Sequence, residues 1–115
     1  MSADELRALE ALAGPGVREV VEPGRRLIIL PKVKLPAGSK PTEAFAIYYA
    51  SAHGNYATRL FFEAPICGAN GVTPPTVTEA LCGRTMYAAS YNGVPADLPP
   101  HQGILAHLRL YEAAP

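Results

Sequence analysis

Near the start of the chain the apolar positions fall at helical spacing, with Leu6, Leu9 and Leu12, joined by Ala13, on one face. Ser2 and Glu5 stand three apart at the head of this run, the arrangement of a capping box in which each side chain satisfies an orphan amide of the first turn. Gly14-Pro15-Gly16 ends it. The pattern predicts an amphipathic helix over 3–13.

Beyond Gly16 the helical repeat gives way to alternation. Val17 to Val21 suits a short strand, and Pro23-Gly24 is a turn signal. Arg26 to Leu35 reads as a half-buried antiparallel strand, with Leu27, Ile29, Val33 and Leu35 on one face and Arg26, Lys32 and Lys34 partly on the other. Pro31 within it points to an edge or a bulge. After a loop at 36–41, Phe45, Ile47 and Tyr49 alternate with Ala44, Ala46 and Tyr48 across Glu43–Ala50, the predicted central strand. His53-Gly54-Asn55 reads as a turn and Thr58–Phe62 as a further strand.

From 63 to 80 the pattern is irregular, because Pro65, Gly68, Asn70-Gly71 and Pro74-Pro75 break any period. A loop of that length in a small domain is usually functional. Thr85–Tyr91 suits a last short strand and Asn92-Gly93 turns it. Asp97 with Pro99-Pro100 then opens a closing helix on Ile104, Leu105, Leu108 and Tyr111. The predicted fold class is α+β, one domain over 1–115, in which a four-stranded antiparallel meander is flanked by an N-terminal and a C-terminal helix. Both helices are expected on one face of the sheet, over a core of Leu9, Leu27, Ile29, Phe45, Ile47, Leu60, Phe62, Ile104 and Leu108.

Composition narrows the functions open to such a domain. Of 115 residues 49% are apolar and 17% charged, enough for a core. Twelve Pro and ten Gly exclude a helical bundle, since Pro removes a donor and Gly loses most entropy on ordering. Ten basic residues balance ten acidic ones, which removes the electrostatic drive of nucleic-acid binding, so no nucleic-acid partner is expected. No stretch approaches the roughly 20 apolar residues of a membrane span. The opening residues lack the basic-then-apolar plan of a signal peptide. A cytoplasmic protein with no membrane partner is the expectation, and Cys67 and Cys82, outside any Cys-x-x-Cys pattern, are expected as thiols.

Charge is nevertheless uneven along the chain. Between 24 and 42 lie Arg25, Arg26, Lys32, Lys34 and Lys40 with no acid, which is either the solvated face of a strand or a docking surface for an acidic protein. His101 and His107, six apart on the closing helix, point about 240° from one another and cannot share a metal. His53 could approach either, but no metal centre is expected. There is no Gly-x-Ser-x-Gly nucleophile elbow and no glycine-rich phosphate loop, so neither a nucleotide nor another cofactor is expected. Cys82 follows a Pro-rich segment and precedes Gly83-Arg84. It is either a thiol on an exposed turn beside a cation that favours thiolate, or a buried small hydrophobe, with Cys67 as the competing thiol.

The element order, with Leu30-Pro-Lys-Val-Lys-Leu-Pro-Ala-Gly38 and Tyr56-Ala-Thr-Arg-Leu-Phe-Phe62, resembles the bacterial members of the ubiquitin-conjugating enzyme family. Asp97-Leu-Pro-Pro-His101 loosely matches the Pro-containing segment ahead of that family's closing helix. The resemblance implies a ubiquitin-conjugating fold and a nucleophilic Cys82, which would accept the C-terminal glycine of a ubiquitin-like protein as a thioester and pass it to an amine. It also implies a ThiF-like activating enzyme as a second partner. The family's His-Pro-Asn segment is absent, and Asn70, twelve residues ahead of Cys82, is the nearest substitute for its oxyanion donor. The tryptophan common after the family's cysteine is absent too. Two functions therefore stand open: a thioester carrier, or a non-catalytic adaptor or scaffold of the same fold that binds a ubiquitin-like protein or its activating enzyme.

Overall fold

A computed structural model of the chain describes residues 1–52, 56–91 and 93–113. Helix α1 (Ala3–Ala13) starts where the Ser2 hydroxyl accepts the Glu5 N–H at 3.1 Å. It ends at Gly14, whose φ of 76° turns the chain while its N–H donates to the Glu10 carbonyl. The strands β1 (Arg18–Glu22), β2 (Arg25–Lys34), β3 (Glu43–Tyr49), β4 (Arg59–Phe62), β5 (Thr76–Leu81) and β6 (Arg84–Ala89) follow. Helix α2 (Pro100–Leu108) then runs into a 3-10 turn at Arg109–Tyr111. All strand pairs are antiparallel, in the order β1-β2-β3-β4-β6-β5.

The sheet thus has six strands where four were expected, and the segment 63–80 is irregular only in its first part. Past Pro75 the run Thr76-Val77-Thr78 has the β-branched side chains that suit a pleated strand, and a two-residue turn at Cys82-Gly83 returns it as β6. The predicted turn at His53-Gly54-Asn55 and residue Asn92 lie outside the described residues.

The expected common face for Leu27, Ile29, Val33 and Leu35 is also corrected. Leu30 stands opposite Ala46 and Val33 opposite Ala44, so β2 carries one extra residue at Pro31–Lys32. This bulge falls where proline is tolerated, because β1 begins opposite Ile29 and leaves β2 unflanked beyond it. Before the bulge Leu27 and Ile29 face away from the helices; after it Val33 and Leu35 face toward them.

Two cores result, one on each side of the sheet. Under α1 and α2 lie Leu9, Ile28, Leu30, Val33, Ala46, Tyr48, Leu60, Phe62, Ile66, Ile104 and Leu108. On the other face Leu27, Ile29, Ile47, Phe61, Leu81 and Met86 pack together with no helix over them. They are buried because the sheet curls. β2 and β5 are four places apart, about 19 Å in a flat sheet, yet Arg25 Nη1 approaches Glu79 Oε1 to 3.7 Å. Every predicted core residue is buried except Phe45, which is half-buried at the rim. They do not form the single core expected, since they divide between the two faces.

Helix α2 approaches the sheet closely at Gly103, where a Cβ would run into the Tyr48 hydroxyl. Below it Thr58 donates to the Val94 carbonyl at 3.0 Å, which leaves its oxygen to accept from His107 Nε2–H at 2.8 Å. The His107 ring is boxed edge-on by Tyr48 and Tyr91, each 5.8 Å away between centroids. Burial lowers its pKa to about 4, so the imidazole is neutral and its place is structural.

Candidate functional site

The turn between β5 and β6 places Cys82 at the tip of a hairpin. Leu81 stands opposite Arg84, and the two residues between them, Cys82 and Gly83, have φ of 50° and 76°. Positive φ at both central positions is the type I′ pattern, which matches the twist of the flanking strands and ordinarily selects Asn-Gly or Asp-Gly. Cys82 is the non-glycine residue with positive φ among those described, and it is exposed. The buried small hydrophobe considered for this thiol is therefore excluded. Leu81 anchors the tip from below, fully buried in the helix-free core.

Arg84, on the same face as Leu81, extends over Phe45 with its Cζ 4.2 Å from the ring centroid. Beneath it opens a cleft of about 370 Å³ lined by Pro31, Lys32, Glu43, Ala44, Phe45, Glu63 and Arg84. Two cations and two carboxylates share its walls. Lys32 Nζ lies 3.3 Å from Glu43, and the Glu63 carboxylate accepts the Phe45 N–H at 3.2 Å. Nothing local in the sequence marks this cleft, because its residues come from four strand ends; the hairpin flank was hidden by the Pro-rich segment before it.

Asn70 belongs to a different part of the structure. Its side-chain oxygen accepts the Val72 N–H at 3.0 Å, and its Nδ2 donates to the Leu110 carbonyl at 3.5 Å. The amide thus ties the loop after Cys67 to the 3-10 turn that follows α2. The contacts of Asn70 tie it to Val72 and Leu110, not to the hairpin tip. Cys67 is half-buried, and its backbone exchanges two hydrogen bonds with Lys40, at 2.8 and 2.9 Å. The two thiols therefore differ in access, with Cys82 the open one.

The basic run is largely compensated once the chain is folded. Arg25 bonds Glu22 at 2.6 Å, which raises its pKa, and also approaches Glu79. Arg26 pairs with Glu19 across the β1–β2 ladder, and Lys32 pairs with Glu43. Lys34 is exposed beside its register partner Glu43. Glu19, Glu22 and Glu43 come from the strands paired with β2, and Glu79 comes from β5 across the curled sheet, so the acids are absent from the stretch only in one dimension. Of the histidines, His107 is buried on the sheet-facing side of α2, while His101 Nδ1 bonds Glu5 at 2.8 Å near the start of that helix. His53 lies outside the described residues. No helix is long and apolar enough to cross a membrane among the described residues.

The chain matches no known family model, no curated protein and no solved structure.

Proposed function

We propose that this domain is a ubiquitin-conjugating-like carrier in a bacterial conjugation pathway, with Cys82 as the acceptor thiol. The observation that carries the reading is the placement of Cys82, exposed at a hairpin tip in a left-handed conformation that Asn or Gly would adopt at lower cost. A bulky partner reaches such a tip without entering a pocket. The Cys82 thiolate would attack the carboxyl carbon of a ubiquitin-like protein's terminal glycine, displacing the group that the activating enzyme has attached there and forming a thioester. An amine would then take the acyl group and release the thiol.

The adaptor reading has its own observation: the Asn70 amide is engaged by Val72 and Leu110, which leaves the oxyanion donor of the carrier reading in another role. In that function the domain binds a ubiquitin-like protein or its activating enzyme without taking up the acyl group. Arg25, Arg26, Lys32 and Lys34 would form its acidic-partner surface by exchanging their present carboxylates for those of the partner.

A charging assay with the cognate activating enzyme decides between the two. Wild type and Cys67→Ser are expected to give a reducible adduct under non-reducing conditions, and Cys82→Ser to give none. Loss in Cys67→Ser alone would move the nucleophile to Cys67. No adduct in any of them, with a competent activating enzyme, would favour the adaptor.

A further inference from the structure

Strand β1 is an open edge of the sheet, paired with β2 alone. The direction of its free backbone groups follows from β2. Ala50 N–H donates to the Arg26 carbonyl at 2.9 Å and Arg26 N–H to the Ser51 hydroxyl at 3.1 Å, so Arg26 turns its backbone toward β3 and Leu27 turns its own toward β1. Val20, opposite Leu27, is therefore its hydrogen-bonded partner, and the N–H and C=O of Glu19 and Val21 point out of the sheet edge. No strand lies beside them, since β5, which the curl brings toward Arg25, pairs with β6 alone. The Val21 residue is 73% exposed.

Charges on an edge strand ordinarily discourage further pairing. On β1 their order admits one occupant. Arg18, Val20 and Glu22 stand opposite Ile29, Leu27 and Arg25 and so share the helix-free face, with a cation at one end, a carboxylate at the other and a half-buried valine between. Arg18 is exposed and pairs with no carboxylate among the described residues. Glu22 meets Arg25 through Oε2, and a carboxylate has acceptor sites for a second cation.

We infer that the edge of β1 is an interface for a second copy of this chain, the two β1 strands pairing antiparallel about a two-fold axis at Val20. In that register Glu19 and Val21 of each copy exchange their outward N–H and C=O groups with Val21 and Glu19 of the other, and Arg18 stands opposite the other copy's Glu22. Val20 faces Val20 as a close, non-hydrogen-bonded pair, which joins the two helix-free cores. The neighbouring registers are worse. Centred on Glu19, the pair opposes two carboxylates; centred on Val21, it sets Glu19 opposite Pro23, which has no N–H to give, and Arg18 opposite Gly24. One short strand per copy makes a small interface, so association is weak and rises with concentration. The interface is independent of the carrier and adaptor readings.

The test is amide hydrogen exchange of the full chain at micromolar and millimolar concentration, with sedimentation run alongside. Exchange at Glu19 and Val21 is expected to slow about tenfold at the higher concentration as a dimer forms, while Val20, already bonded to β2, changes less. Arg18→Glu and Glu22→Arg are each expected to weaken the dimer about tenfold, and an equimolar mixture of the two to recover it, because each position then meets the opposite charge. Val21→Pro removes an N–H that the single chain does not use, so it is expected to keep the fold and stay monomeric. A wild-type chain that is monomeric at millimolar concentration, protection at other residues, a folded Val21→Pro protein that still dimerises, or a mixture that fails to recover association would overturn the interface. Growth into open polymers would do so too, since a two-fold pair closes on itself.

Discussion

The carboxylate of Glu5 accepts two hydrogen bonds from His101, one from its backbone N–H and one from its Nδ1, both at 2.8 Å. Glu5 lies in the first turn of α1 and His101 in the first turn of α2, so a side chain of one helix supplies the missing cap of the other. Pro99, at the N-cap position of α2, makes no side-chain cap bond. The capping box expected of Ser2 and Glu5 is therefore half realised: Ser2 caps α1, and Glu5 reaches across to α2.

Glu5→Ala should lower stability by about 1 to 2 kcal/mol, because it leaves an uncapped helix start and loses the join between the helices. Ser2→Ala acts on an exposed helix end alone and should cost about 0.5 to 1 kcal/mol. Urea denaturation of both variants checks the order; equal losses would remove the inter-helix role.

Acid should destabilise the domain through His107. Its folded pKa of about 4 lies below the ordinary value of 6.5, so between these limits the unfolded chain binds a proton that the folded chain excludes. Stability then falls as pH drops through this window, by up to about 3 kcal/mol, and this contribution levels off below both values. In His107→Gln the slope of unfolding free energy against pH over the same window should be smaller. The same slope in both proteins would show that His107 does not set it.

Cys82→Asn should raise stability by about 0.5 to 1 kcal/mol, since Asn is better suited to the left-handed position of a type I′ turn. Under the carrier reading the same variant loses the thioester adduct altogether. Thermal unfolding and the charging assay run on one preparation would show both effects, and a fall in stability would refute the turn assignment.

Helix α1 was fully legible in the sequence, because its cap, its leucine spacing and its glycine stop all agree. The hairpin β5–β6 was not, since Pro74-Pro75 obscures its start and Cys82-Gly83 replaces the expected Asn-Gly signal. Face assignment along β2 failed for a different reason: alternation is counted residue by residue, and the added residue at Pro31–Lys32 changes the count. The ion pairs of the basic run are not legible within 24–42, because Glu19, Glu22, Glu43 and Glu79, which pair with it, lie outside that stretch. For the site, the sequence leaves Cys82 open between an exposed turn and a buried place, and the hairpin register decides for exposure. The cleft could not, because strand ends far apart in sequence assemble it.

The bulge at Pro31–Lys32 acts like a frameshift in three dimensions. Upstream of it odd-numbered side chains serve the helix-free core; downstream odd-numbered ones serve the core beneath the helices, and Lys32 and Lys34 are turned outward. Loss of one residue there would make the ladder regular and leave Val33 opposite Ala44, still facing the helices; it is a regular ladder at the present length that would direct Lys32 and Lys34 under α1 and turn Val33 and Leu35 away. The strand is thus a splice between two half-strands of opposite phase. Its phase survives the loss of one residue, but not an ironing-out of the bulge at the present length.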